Sequence, residues 1–202
     1  MTQPVTRKKE PTARREANRS ALVAALRERL LCDGLPGLSF EKIAETAGMT
    51  RRSVYNHFGS RAGLMEALMD DIGARAGVQG LARVWQVEAP DALLEAYFAE
   101  LCRMWEADRD MFRLMVGLSA ADPELGRAVL ARVGRVREAA KVLADRLDAQ
   151  AGRKPGWSRK EAFASLFALS VFPTYDAIRD SGISQAAAAR RMAQMARAPF
   201  EL

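Results

Sequence analysis

The stretch Ser39 to Arg61, SFEKIAETAGMTRRSVYNHFGSR, constrains the fold more than any other part of the chain. Ser39 is a helix-capping residue type, and Ile43, Ala44 and Ala47 follow at the spacing of one helical face. Gly48 offers the residue best able to take the left-handed conformation that ends a helix. Thr50 then caps a second helix, in which Val54, Phe58 and part of Tyr55 face inward. Two short capped helices around a tight turn read as a helix-turn-helix, whose second helix enters the DNA major groove.

The charges of the second helix point the same way. Arg51 and Arg52 occupy its first turn, where the helix dipole disfavours cations. No acidic residue lies between Met49 and Arg61, so both arginines are expected to lack a local partner and to meet an outside polyanion. Tyr55, Asn56, His57 and Phe58 continue the run with aromatic and polar groups.

The string IAETAGMTRRSVYNHFGSRAGL resembles the N-terminal domain of the TetR (tetracycline repressor-like) family of transcriptional regulators. The resemblance rests on Ile43 and Ala44, Ala47 and Gly48, Thr50, then Tyr55, His57, Phe58 and Arg61, with Leu22, Ala25, Gly34 and Ser39 upstream. Arg52 departs from the family pattern, which has a small residue there, so no operator sequence carries over. By position, Arg51, Arg52 and Ser53 are candidates for base edges, since arginine on guanine O6 and N7 is the commonest specific contact. Ser39, Thr50, Tyr55, His57 and Arg61 are candidates for phosphates, and Asn56 for either.

Charge is distributed unevenly over the 202 residues, whose formal net charge is +6. Residues 1–61 hold 12 of the 31 Lys and Arg but only 6 of the 25 acidic residues, so the two signs balance beyond Arg61. A basic module joined to a neutral partner domain accounts for this. Cys32 and Cys102 lie in helical patterns and read as buried small apolar residues in a reducing compartment, not as a disulfide. The polar, basic start carries no signal-peptide core, and the most apolar run, Ala162 to Pro173, is too short to span a bilayer. A cytoplasmic protein with no membrane partner is expected.

In chain order, Thr2 to Arg15 lacks periodicity and reads as a disordered basic arm (1–14), with Arg7, Lys8, Lys9, Arg14 and Arg15 available to phosphates. A first helix over Arg15 to Cys32 buries Leu22, Val23, Leu26 and Leu30. A fourth helix starts at Ser60, and Gly73, Gly77 and Gly80 predict a bend or fraying near Val78. Further helices start at Asp91, at Asp122-Pro123-Glu124 and at the Ser158–Glu161 capping box, the second of them reaching Ala151. Pro173 is expected to kink the helix it sits in, Gly182 to end it, and Ile183 to Arg197 to form the last. The fold is all-α with about nine helices: a helix-turn-helix domain over 15–61, and a helical effector-binding and dimerisation domain over 62–202.

Aromatic and methionine side chains recur in the larger part. The resemblance implies a small-molecule cavity there, with Tyr97, Phe98, Trp105, Phe112, Met115, Phe167, Phe172 and Tyr175 as candidate lining and Met104 beside them. Glu95, Arg113 and Asp176, with the hydroxyls of Tyr97 and Tyr175, are its candidate polar groups. Stripes at this spacing are more often plain core. The resemblance also implies a homodimer through the last two helices, reading a palindromic double-stranded operator. The function expected is a repressor released by ligand, the alternative being an effector-independent architectural or division-control protein of the same fold. An enzyme is not expected: the only histidine, His57, lies in the DNA-binding motif, and no catalytic, cofactor or metal constellation appears.

Overall fold

Helix signals in this sequence come as cap, apolar stripe and glycine stop, and the computed structural model, which describes residues 12–202, realises most of them. The described residues form eleven α-helices and no β-strand, apart from an isolated bridge between Arg153 and Phe200. The chain divides into two compact units between Leu68 and Met69, inside the fourth helix and beyond the expected boundary at Arg61.

The first unit is built on α1 (Thr12–Asp33), which buries Leu22, Val23, Ala25, Leu26 and Leu30. It starts upstream of the expected Arg15, so Arg14 and Arg15 are helical, while Arg7, Lys8 and Lys9 of the proposed arm lie outside the described residues. Gly34, at φ 64°, turns the chain into a 3-10 turn, Leu35–Leu38. Gly37 seats that turn on α1: a Cβ there would lie 2.3 Å from the carbonyl oxygen of Arg29. Next come α2 (Phe40–Thr46), capped by Ser39, and α3 (Arg51–Phe58), capped by Thr50. Ile43, Ala44, Val54 and Phe58 fill the space between them and α1. The first part of α4 (Arg61–Ala76) adds Leu64, Met65 and Leu68 to the buried set.

In the second unit α4 ends at Ala76, where Gly77 takes the left-handed conformation. A 3-10 turn (Val78–Gly80) and the one-turn α5 (Leu81–Val84) follow, where the glycines predicted a bend. Helix α6 (Pro90–Ala107) is the spine of this unit, with Leu93, Leu94, Tyr97, Phe98, Leu101 and Cys102 at most 1% exposed. It starts at Pro90 without a side-chain cap, one residue before the expected Asp91. Helix α7 (Arg109–Ser119) precedes α8 (Pro123–Ala151), whose first turn is held by Asp122 Oδ1 accepting from the backbone N–H groups of Glu124 and Leu125. Both bonds of the Ser158–Glu161 capping box are present at the start of α9 (Arg159–Ser170).

Pro173 breaks the helix instead of kinking it. Val171 is extended (φ −90°, ψ 147°), and α10 (Phe172–Asp180) starts afresh with the proline in its first turn, where a missing N–H costs nothing. That break and the short α5 raise the helix number above the expected nine. Gly182 is followed by Ser184, which caps α11 (Gln185–Ala196), and α11 packs Ala188, Ala189, Met192 and Ala193 into the core that α6 organises. Cys102 is buried as expected, but Cys32 is exposed, because it falls on the solvent side of α1 next to Leu31. Both thiols are free.

Candidate nucleic-acid interface

Helix α3 stands on a buried edge and presents the rest of itself to solvent. Val54 and Phe58, four residues apart, are 0% and 8% exposed, and the guanidinium of Arg19 lies 4.9 Å over the Phe58 ring. Arg19 Nη1 also donates to the carbonyl of His57 at 3.4 Å, a support from α1 that the motif alone does not reveal. Thr50 Oγ1 accepts from the Ser53 N–H at 3.2 Å, fixing the start of the helix. Its hydroxyl also lies 3.1 Å from Ser53 Oγ, so the Ser53 side chain is engaged in the cap.

Tyr55 corrects one expectation. The sequence pattern turns it partly toward the core, yet it is 62% exposed, since the residue after Val54 points about 100° away from the buried edge. Its ring instead flanks an open depression of about 550 Å³ lined by Phe40, Arg51, Arg52, Tyr55, Ser60 and Arg61. Asn56 is exposed and His57 and Arg61 are partly buried, all on the same short stretch. The structure therefore brings Arg51, Arg52, Tyr55 and Arg61 to one concave, positively charged surface.

Arg51 corrects another. It is not without a partner: its Nε lies 2.8 Å from Glu41 Oε1, across the turn on α2. The sequence window after Met49 holds no acid, but the fold supplies one from the preceding helix. Arg52 is exposed and pairs with no acid among the described residues. Glu41 also accepts from Ser39 Oγ at 3.0 Å, and Ser39 Oγ accepts in turn from the Lys42 N–H at 3.4 Å. The Glu41 carboxyl is held below its usual range by a backbone hydrogen bond and the Ser39 hydroxyl, with the Arg51 charge adding to them.

In the second unit the candidate ligand residues fall into separate groups. Trp105, Phe112 and Phe172 form an aromatic cluster with centroids 4.8–5.6 Å apart, Trp105 meeting the other two rings edge to face. The indole N–H of Trp105 is buried there without a hydrogen-bond partner among the described residues. Tyr97 packs edge-on against Phe98 at 5.3 Å and donates to Ser170 Oγ at 3.1 Å, and burial pushes its phenol up to about 12. Met104 and Met115 are buried. Phe167 lies apart from these, stacked on Phe163 beneath the guanidinium of Arg137.

The polar candidates are also distributed. Tyr175 donates to Glu106, whose carboxyl is held at about 2, first by Arg179 and then by that phenol. Arg113 and Arg109 both pair with Asp176, at 2.8 and 2.7 Å, joining α7 to α10. Glu95 binds Arg197 at 2.8 Å, beside an outer groove between α6 and α11 lined by Ala186, Ala189 and Ala193. Among the described residues no group of acidic, histidine or cysteine side chains is placed to hold a metal, and no helix is long and apolar enough to cross a membrane.

Residues 22–68 match the family described as bacterial regulatory proteins, tetR family. The HTH-type transcriptional regulator AlkX of Mycobacterium tuberculosis is 30% identical over 59% of this chain, which spans about half (51%) of that relative. The fold is similar to that of NalD from Pseudomonas aeruginosa, the secondary repressor of the MexAB-OprM multidrug efflux pump, at 24% identity and TM-score 0.69, covering 93% and 98% of the two chains. It is also similar to that of the fatty acid degradation regulator FadR from Bacillus halodurans, at 14% identity and TM-score 0.67, covering 94% and 96%.

Proposed function

We propose that this chain, whose residues 22–68 match the tetR family of bacterial regulatory proteins, is a DNA-binding regulator of that family: a homodimeric repressor of a palindromic operator that a small molecule releases. The observation that carries the DNA-reading half is the solvent face of α3, where Arg52 stands exposed beside Tyr55 and Arg61. Arg51, Arg52 and Ser53 meet base edges. Ser39, Thr50, Tyr55, His57 and Arg61 meet phosphates and fix the register, and Asn56 serves either. One short helix reads few bases, so a two-fold pair with half-sites roughly one helical turn apart, about 34–36 Å or a multiple, supplies the specificity.

The repressor and effector roles draw on the relatives, NalD being named a repressor and FadR a regulator of fatty acid degradation. Residues 62–202 dimerise through the last helices and hold the effector among Tyr97, Phe98, Trp105, Phe112, Met115, Phe167, Phe172 and Tyr175. The unpaired indole N–H of Trp105 favours a ligand there that carries a hydrogen-bond acceptor. A ligand that binds better to a form with altered head spacing shifts the population off DNA, and coupling of ~1–3 kcal/mol lowers operator affinity about 5–150-fold.

Selection of duplexes from a randomised pool by the purified protein tests the first half. A two-fold symmetric consensus is expected, and enrichment of no sequence would refute it. A compound screen read out as operator affinity tests the second. If no compound changes that affinity, the switch is abandoned and an effector-independent DNA-binding protein remains.

A further inference from the structure

Glu41 sits where a DNA-binding surface has least use for a negative charge. It projects from the first turn of α2 toward the first turn of α3, with Oε1 2.8 Å from Arg51 Nε and Oε2 receiving the Ser39 hydroxyl at 3.0 Å. Both carboxylate oxygens are thus occupied, and the carboxylate is fixed from two sides. Both partners of the ion pair are solvent-exposed, at 71% and 61% of their side-chain surface. Such a pair adds little to folding stability, so folding does not explain it.

Its geometry does bear on recognition. Arg51 is gripped through Nε, which leaves the Nη1–Nη2 edge of the guanidinium pointing away from the contact. That edge is the one that meets guanine O6 and N7 side by side. A fork held at its base loses less conformational freedom when its tips bind. The charge balance matters as well. Arg52 offers a full positive charge to a phosphate, whereas Arg51 is offset by the carboxylate beside it, and a phosphate drawn to Arg51 meets that carboxylate. Two neighbouring arginines are thereby given unequal pull on the backbone.

We infer that Glu41 is a positioning residue for sequence discrimination: it holds Arg51 side-on across the turn, directing its tips to a base edge and withholding it from phosphates. This rests on the reading of α3 as the DNA-reading helix. Ser39 is drawn into the same device, because its hydroxyl is committed to Glu41 until DNA displaces it.

The test uses the full chain as wild type, Glu41→Gln, Arg51→Ala and the double variant. Each is titrated with a duplex recovered by the wild type from a randomised pool, and with a random duplex of equal length, over a series of salt concentrations. Glu41→Gln keeps an acceptor for Ser39 and removes the charge. It is expected to raise affinity for the random duplex and to steepen its log–log salt slope by about 0.9 per chain. The ratio of selected to random affinity is expected to fall about fivefold or more. In the Arg51→Ala background the same substitution leaves that ratio unmoved.

An equal gain on both duplexes would make Glu41 a bulk charge only and overturn the inference. An unchanged ratio, or the same fall without Arg51, would overturn it too. Arg51→Lys gives a second line that leaves Glu41 in place: the charge stays, the fork is lost, and the ratio falls with no rise on random DNA. An unchanged ratio for that variant also counts against the inference. A wild type that enriches no sequence refutes the DNA reading itself, an outcome separable from any behaviour of the Glu41 variants.

Discussion

Arg52 and Arg61 line the same depression but are expected to fail differently when removed. Arg52→Ala is expected to cost ~1–3 kcal/mol on the selected operator and to relax preference at one base position, while Arg61→Ala weakens all sequences alike. Equal losses for Arg52→Ala on operator and random DNA, measured by titration, would move it from base reader to phosphate contact. Glu106 makes a prediction of another kind. Its carboxyl, ordinarily near 4.5, lies at about 2 in the fold because Arg179 and Tyr175 bond to it. The folded value is below the unfolded one, so this stabilisation is complete above about pH 4.5 and is lost as pH falls toward about 2. Glu106→Gln is therefore expected to flatten the decline of the thermal midpoint over that window. A decline as steep as the wild type's would place the acid sensitivity elsewhere, at the other lowered carboxyls: Asp176, which Arg113 and Arg109 lower against its burial, Glu41 and Glu161.

At the level of elements, the seat of the Leu35–Leu38 turn on α1 depends on one missing side chain. A Cβ on Gly37 would meet the Arg29 carbonyl carbon at 2.5 Å and its oxygen at 2.3 Å, backbone atoms that cannot swing aside. Gly37→Ala is expected to destabilise the first unit by ~2–4 kcal/mol and to weaken DNA binding with it. Urea unfolding with an unchanged midpoint would show that the turn can lift. The sequence could place a turn at Pro36 and Gly37, but close approach to a helix eight residues upstream is a tertiary fact no local pattern carries. The caps are legible for the opposite reason: Ser39, Thr50, Asp122 and Ser158 bond to backbone two or three residues away, inside any reading window. The Glu41–Arg51 pair escapes the sequence for the same reason as Gly37, spanning two helices whose juxtaposition the turn creates. Tyr55 and Cys32 are misplaced by a sequence reading because an apolar or aromatic type there outweighs its angle on the helix. The Val171 break is foreshadowed by Pro173, though propensity alone does not separate a kink from a new start.

For the molecule as a whole, two parts are visible in the sequence through charge as well as through motif, since the net positive charge falls entirely within residues 1–61. What stays hidden there is which outer surfaces of a neutral helical unit are used, because a stripe of alanine and methionine serves a core and an interface equally. Helix α11 shows both uses at once: Ala188, Ala189 and Met192 are buried against α6, while Met195 is 49% exposed on the outer side. A single exposed side chain of this kind does not mark an interface by itself, but on the proposed dimer reading Met195 lies on the outer face of a pairing helix. Met195→Asp places a charge in that proposed contact without touching the buried face of the helix. The variant is expected to keep its thermal midpoint at low protein concentration and to sediment as a monomer where the wild type is a dimer. Its affinity for the selected palindrome is then expected to drop steeply while its affinity for a single half-site is kept, because joining two heads raises the effective concentration of the second. Sedimentation and titration read these two effects independently. A Met195→Asp protein that stays dimeric and binds the palindrome fully would move the interface to another face of α9, α10 and α11, and a wild type that is monomeric at working concentration would remove the two-fold reading altogether.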